Sequence, residues 1–193
     1  MAPNTTMSAG KLRISGPNGT YRPGDPILIH DGRLFLGTIE APEVGRDGTS
    51  VHFGRFSPSS QVRDGHRQFA PLLLLEAMTL ITEHFQNIET IRFTLTRQVE
   101  IHGDGVKVAL ARLALLERIG ASDLLMMPMA DSAVPGNFVI QGRWEYNSPN
   151  LAALAAELLE QRSIYFQVRN FHEVGRGIFA GHWLARTWRR ATT

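Results

Sequence analysis

The chain has 193 residues, of which 43% are hydrophobic and 20% are charged, with a formal net charge of +2 and no cysteine. This balance excludes wholesale disorder and suits one domain, which we expect at 11–193 behind a flexible tail at 1–10. The absence of cysteine excludes disulfides, thiolate metal sites and a cysteine nucleophile, and the small net charge argues against broad nucleic-acid binding.

Membrane and export signals are also missing from the sequence. The apolar runs, such as the one that contains Ala70–Leu75, are far shorter than the roughly 18 residues of a membrane span. Residues 1–10 are polar and contain no apolar segment of a secretory signal, so we expect a cytoplasmic protein. Arginine outnumbers lysine by eighteen to two, a bias that suits a local phosphate or carboxylate site as well as a GC-rich coding sequence.

The first third of the chain predicts a strand meander. Strands are expected at Lys11–Ser15, Pro26–His30, Leu34–Glu40 and Ser50–Phe56. The Asp31-Gly32 dipeptide between the second and third is typical of a tight hairpin turn. In the last strand Val51 and Phe53 alternate with His52, which is the pattern of a strand with one buried face.

The remainder predicts alternating helices and strands. The expected elements are a helix at Pro71–Phe85, strands at Ile91–Ile101, Leu124–Met129 and Phe138–Tyr146, a helix at Ser148–Arg162 and a strand at Ile164–Arg169. Residues 104–119 alternate like a strand at Val106, Val108 and Leu110, but their strong helix formers, with Asp104 and Gly120 as caps, favour a helix. The fold class is mixed α/β, with a single, mostly antiparallel central sheet flanked by about three helices.

One candidate site lies where the fourth strand leads into the first helix. The connecting loop carries Arg63, His66 and Arg67. A helix N-terminus offers free N–H groups and a positive dipole end, so basic residues beside it can form a phosphate-binding corner. A solvated surface loop with scattered arginines is the alternative.

Over roughly 26–168 the chain resembles the acetyltransferase (GNAT) superfold. Ile27–Phe56 is similar to its second to fourth strands, Pro71–Phe85 to its phosphate-binding helix and Leu115–Gly120 to the end of its next helix. It is most similar to the acyl-homoserine-lactone synthases and related N-acyl amino acid synthases, which carry an acidic residue three positions before an Arg-Phe pair. Here the pair is Arg55-Phe56 and that position holds His52. The family's N-terminal helices and glycine-rich pyrophosphate signature are absent.

This resemblance implies an acyltransferase that moves an acyl group from a pantetheine thioester, acyl-CoA or an acyl carrier protein, to an amine. His52 would act as general base or orient a water, since an unperturbed imidazole titrates near neutral pH. Arg55 would order the strand or the acceptor. Four residues of the loop before the first helix would bind the carrier's phosphates: Arg63, Gly65, His66 and Arg67. The histidine spacing predicts no metal site, and a homodimer is left open.

Two alternatives remain at the level of sequence. Leu73–Met78 also resembles the central helix of hotdog-fold hydroxyacyl-thioester dehydratases and thioesterases, which would make Glu76 and His66 catalytic. In the acyltransferase interpretation, Glu76 and Glu83 are instead expected to face solvent. The third interpretation is a non-catalytic binding or oligomerisation module.

Overall fold

The computed structural model describes residues 12–59, 69–85, 87–96, 105–129 and 138–167. The strands in these ranges are Arg13–Ser15 (β1), Ile27–Asp31 (β2), Leu34–Ile39 (β3), Glu43–Val44 (β4), Ser50–Phe53 (β5), Phe56–Pro58 (β6), Thr90–Thr96 (β7), Ser122–Pro128 (β8) and Phe138–Glu145 (β9). The helices are Phe69–His84 (α1), Gly105–Arg118 (α2) and 148–167 (α3). The predicted mixed α/β class is confirmed.

The strands form two hydrogen-bonded sheets. The first has the order β1-β2-β3-β6, and the second has the order β4-β5-β7-β9-β8. Every pair is antiparallel except β5 with β7, which run parallel. The predicted single strand Ser50–Phe56 is therefore two strands in two sheets. The chain leaves β7 after Phe53 and pairs with β3 from Phe56 onward.

The helix predicted at 104–119 is confirmed as α2. The hydrogen bonds at its C-terminal end explain why the helix stops at Gly120. Gly120 has φ +83°, a conformation that glycine adopts without strain. The N–H of Gly120 donates to Glu117 O at 3.0 Å and the N–H of Ala121 donates to Leu116 O at 2.9 Å. This pair of bonds is a Schellman motif, which closes the helix with local chemistry alone. The predicted cap Asp104 lies outside the described residues.

The strand predicted at Ile164–Arg169 is wrong, because α3 continues to residue 167. Leu154, Leu158 and Tyr165 form a buried stripe at helical spacing, and the Tyr165 hydroxyl donates to Asp31 Oδ2 at 2.9 Å. Ser148, which the sequence favours as the N-cap with Pro149 at the first helical position, is itself the first helical residue. The N-cap is Asn147, whose Oδ1 accepts the N–H of Asn150 at 2.9 Å.

The second sheet has one buried face and one open face. The side chains on its buried face join the helices in one apolar cluster: Val51, Phe53, Ile91, Phe93, Ile140 and Trp144. The Trp144 indole N–H donates to Ile119 O at 2.7 Å, which ties this face to the end of α2. The opposite face of the sheet (the open face) carries half-buried or exposed polar side chains: His52, Arg92, Thr94, Gln141, Arg143 and Glu145.

Gly37 sets the close contact between β3 and β6. Its φ is +154°, and a Cβ there would lie 2.6 Å from Ser57 O and 2.7 Å from the Phe56 ring. We expect Gly37→Ala to lower the free energy of unfolding by about 2–3 kcal/mol, because backbone strain and the clash with β6 add up. Urea denaturation measures this loss.

Gly48→Ala is the matched control for that substitution. Gly48 has φ +70° with no atom within 4 Å of its would-be Cβ, so only the conformational penalty of about 1 kcal/mol applies. If both variants lost the same free energy of unfolding, steric contact between β6 and residue 37 would not contribute to the effect of Gly37→Ala.

Candidate active site

The two parallel strands of the second sheet separate partway along their length. β5 and β7 pair from Ser50 with Thr90 to Phe53 with Phe93. Beyond Phe53 the β5 chain turns away to become β6, whereas β7 continues beside β9. An opening therefore begins between Gly54 and Thr94, where neither strand is the ladder partner of the other. A Cβ at Gly54 would lie only 3.7 Å from Thr94 O, so the opening is narrow where it starts.

The imidazole of His52 lies at the start of this opening, on the open face. Its Nε2 is 3.2 Å from Thr94 Oγ1, within hydrogen-bond distance. Its Cε1 lies 3.6 Å from the position that a Cβ of Gly54 would take. The ring thus contacts the Thr94 hydroxyl of β7 and remains exposed to solvent. A base in this position can reach an amine that approaches over the open face.

Charges beside His52 are partly compensated by carboxylates. Arg143 pairs with Asp123 at 2.8 Å and with Glu145 at 3.4 Å. Hydrogen bonds from the Ser50 hydroxyl and from nearby backbone N–H groups lower the pKa of Asp47, and the charge of Arg92 lowers it further. The open face therefore carries charges of both signs.

Arg55, the second predicted catalytic residue, lies between β5 and β6 with an exposed side chain. Its backbone carbonyl accepts the N–H of Glu40 at 3.0 Å, which holds the turn against the end of β3. The predicted phosphate-binding residues lie outside the described residues: Arg63, Gly65, His66 and Arg67.

Glu76 does not face solvent, so that expectation is wrong, whereas Glu83 is exposed as expected. The Glu76 side chain is 2% exposed, and its two carboxylate oxygens accept Nε–H and Nη2–H of Arg162, each at 2.8 Å. These hydrogen bonds raise the pKa of the Arg162 guanidinium. The pair borders a cavity of about 460 Å³ that is also lined by Leu12 and Thr79. The carboxylate is engaged in an ion pair between α1 and α3, and that contact gives it a structural role.

Thr94 and Gly54 are the site residues that the sequence interpretation missed. A weak signal was present, because Arg92 and Thr94 alternate with Ile91, Phe93 and Leu95 and so lie on one face of the strand. The alternation does not predict that β7 lies beside His52. The parallel pairing of β5 with β7 places Thr94 next to the imidazole.

Within the described ranges, no three or more His, Asp and Glu side chains gather closely enough to hold a metal ion. No helix in that same part of the chain is both long and apolar enough to cross a membrane.

The topology is a strand meander that leads into a helix, a strand parallel to β5, a second helix and an antiparallel strand pair. This order of elements agrees with the order that the GNAT resemblance implies. The parallel pairing of β5 with β7 does not fit the hotdog alternative, in which the sheet is antiparallel. No protein-family model matches the chain, and no curated protein matches it in sequence.

Several solved structures match the chain at low sequence identity. The N-terminal domain of ribosomal-protein-alanine acetyltransferase from Clostridium acetobutylicum is 13% identical, with a TM-score of 0.46 over 72% of this chain and 94% of that one. Spermidine N-acetyltransferase from Vibrio cholerae, in complex with CoA and spermine, is 14% identical, with a TM-score of 0.45 over 66% and 68%. A CoA-dependent acyl-homoserine lactone synthase, MesI, is 12% identical, with a TM-score of 0.36 over 69% and 68%.

Proposed function

We propose that this protein transfers an acyl group from a pantetheine thioester to an amine. The observation that carries the proposal is the exposed His52 imidazole at the start of the opening between β5 and β7. The amine nitrogen attacks the thioester carbonyl carbon, the C–N bond forms and the C–S bond breaks. His52 takes the proton that the amine loses, and the thiolate leaves with the carrier and is protonated by solvent.

The two substrates approach the site from different directions in this proposal. The opening suits the pantetheine arm, because the amides of an extended arm can hydrogen-bond to a strand edge that lacks a ladder partner. The open face suits the amine, since His52 is accessible from that side. Arg55 borders the opening and would order the donor or the acceptor.

The donor is proposed to be acyl-CoA, with an acyl carrier protein as the alternative carrier. Arg63, Gly65, His66 and Arg67 are proposed to bind its phosphates, as the resemblance implies. The spermidine N-acetyltransferase described above was solved with CoA and spermine, which supports this pairing of donor and amine. A cytoplasmic location and a homodimer stay predictions.

A thermal-shift assay with acetyl-CoA, a long-chain acyl-CoA and free CoA tests the donor site. A ligand at 100 times its Kd adds about 2.7 kcal/mol of stability, which raises the Tm by roughly 5–10 °C for a domain of this size. We expect Arg63→Ala/Arg67→Ala to lose this shift. The control Arg22→Ala/Arg46→Ala removes two exposed arginines elsewhere and keeps it. No shift with any of the three at millimolar concentration would refute the donor site.

Release of free thiol from acetyl-CoA then tests the transfer itself. The acceptor panel contains a polyamine, an amino acid and a peptide with a free N-terminus. Amine-dependent release supports the acyltransferase. If CoA stabilises the protein but no acceptor leads to release of free thiol, the protein is a non-catalytic binding module.

A further inference from the structure

We infer that Thr94 is a positioning residue for His52: its hydroxyl accepts the Nε2–H of the imidazole, so that Nδ1 is the nitrogen that takes the amine proton. The inference rests on the proposed function, because it assigns the working nitrogen of the proposed base. It adds a residue that comes from a strand 42 positions away in sequence.

The contact joins the two strands at the point where they separate. Thr94 is the first residue of β7 beyond the last pair, Phe53 with Phe93, and its hydroxyl is 3.2 Å from His52 Nε2. In the described part of the chain the His52 ring makes no other hydrogen bond or ion pair. An exposed imidazole without a partner samples several rotamers, so this bond is what gives the ring one orientation.

Thr94 is suited to hold another side chain in place. Its backbone pairs with Gln141 of β9, and its side chain is half-buried. The neighbouring Phe93 is 1% exposed and anchors the strand in the core. A β-branched residue also has restricted χ1 rotation. The hydroxyl oxygen is therefore a fixed point toward which the imidazole can be oriented.

The distance of 3.2 Å between Nε2 and Thr94 Oγ1 is compatible with donation in either direction, and the inference assigns Nε2–H as the donor. A neutral imidazole carries one N–H and one lone pair, so a ring that donates from Nε2 keeps its lone pair on Nδ1. When Nδ1 accepts the amine proton, the ring becomes positively charged and its bond from Nε2 to Thr94 Oγ1 becomes charge-assisted and stronger. The contact then stabilises the transfer state more than the resting state, which is the condition for raising kcat. Gly54 adds no side chain beside the Cε1 edge of the ring.

Three threonine variants test the inference. Thr94→Val removes the hydroxyl with little change in shape, Thr94→Ser keeps it, and Thr90→Val is the matched control on the same strand, since Thr90 is also half-buried. The assays are thiol release from acetyl-CoA with the best amine of the panel, and ¹⁵N NMR of the His52 ring in the resting protein.

We expect Thr94→Val to lower kcat about 10- to 100-fold, the usual effect of losing a group that orients a functional side chain. The KM for acetyl-CoA should stay within about twofold, since Thr94 acts on the base and not on the donor. Thr94→Ser should restore most of the rate, and Thr90→Val should match the wild type. The ¹⁵N shifts should show the Nε2–H tautomer in the wild type and a mixture of tautomers in Thr94→Val.

The inference is overturned by an Nδ1–H tautomer in the wild type, by an unchanged tautomer in Thr94→Val, or by a changed tautomer with unchanged kcat. The inference is also overturned if Thr94→Val changes the KM for acetyl-CoA and leaves kcat unchanged. Failure of the proposed function looks different: the wild type itself releases no thiol with any amine, and the role of Thr94 in transfer falls with it.

Discussion

We expect His52→Ala to lower kcat for the proposed acyl transfer about 10²- to 10⁴-fold, the range expected when a general base is removed. The KM for the thioester should change little, because in the proposed mechanism the imidazole takes a proton from the amine and does not bind the carrier. Since the side chain is exposed, the free energy of unfolding stays within about 0.5 kcal/mol of wild type. Thiol release from acetyl-CoA and urea denaturation measure the two quantities.

Glu43→Gln is the matched control for His52→Ala. Glu43 is the exposed register partner of His52 on β4, the side away from β7. It shares the local sheet but does not border the opening, so its substitution leaves kcat at the wild-type value. A His52→Ala enzyme with wild-type kcat would remove the general-base role, and a Glu43→Gln enzyme as slow as His52→Ala would mean that local sheet structure was disturbed.

Replacing Glu76 with alanine destabilises the fold by about 3–5 kcal/mol, because it leaves the Arg162 guanidinium buried without its partner. Arg162 is only 18% exposed in the ion pair. Converting both partners to apolar residues, Glu76→Leu with Arg162→Met, should cost much less, since no uncompensated charge remains. Urea denaturation gives the difference between the single and double variants.

Glu83→Ala is the control on the same helix. Glu83 is exposed, so its loss changes stability by no more than about 0.5 kcal/mol. Acyl transfer per folded molecule should persist in Glu76→Ala, measured at a temperature where the variant is still folded. Loss of activity without loss of stability would contradict the structural role and return Glu76 to the list of catalytic residues.

Elements that depend on neighbouring residues were predicted well from the sequence. The hairpin predicted around Asp31-Gly32 joins β2 to β3, with its two-residue turn at Gly32 and Arg33 and Gly32 at φ +57°. The end of α2 is likewise set by Gly120, whose left-handed conformation completes two local hydrogen bonds. Both features can be predicted from the sequence, because the atoms that hydrogen-bond to each other lie within a few residues along the chain.

The site depended on partners that are distant in sequence, and there the sequence was less informative. It pointed to His52, but whether that imidazole has a hydroxyl beside it depends on a strand 42 residues away. The position of Glu76 was predicted wrongly because its partner Arg162 is 86 residues away, on a helix whose last turn was predicted as a strand. A carboxylate on an apolar helix faces solvent unless a cation pairs with it in the core. The local sequence pattern does not show whether such a cation is present.

By itself the sequence determined the mixed α/β class, the helices and most strands, since periodicity, caps and turn residues act over short range. The choice of His52 as the residue to test came from the family resemblance around Arg55-Phe56. Only the tertiary structure decided that Ser50–Phe56 divides between two sheets, that an opening begins at Gly54 and Thr94, and that Glu76 belongs to the ion pair with Arg162. These outcomes follow from which distant strands and helices satisfy each other's hydrogen bonds and charges, and folding brings those partners together.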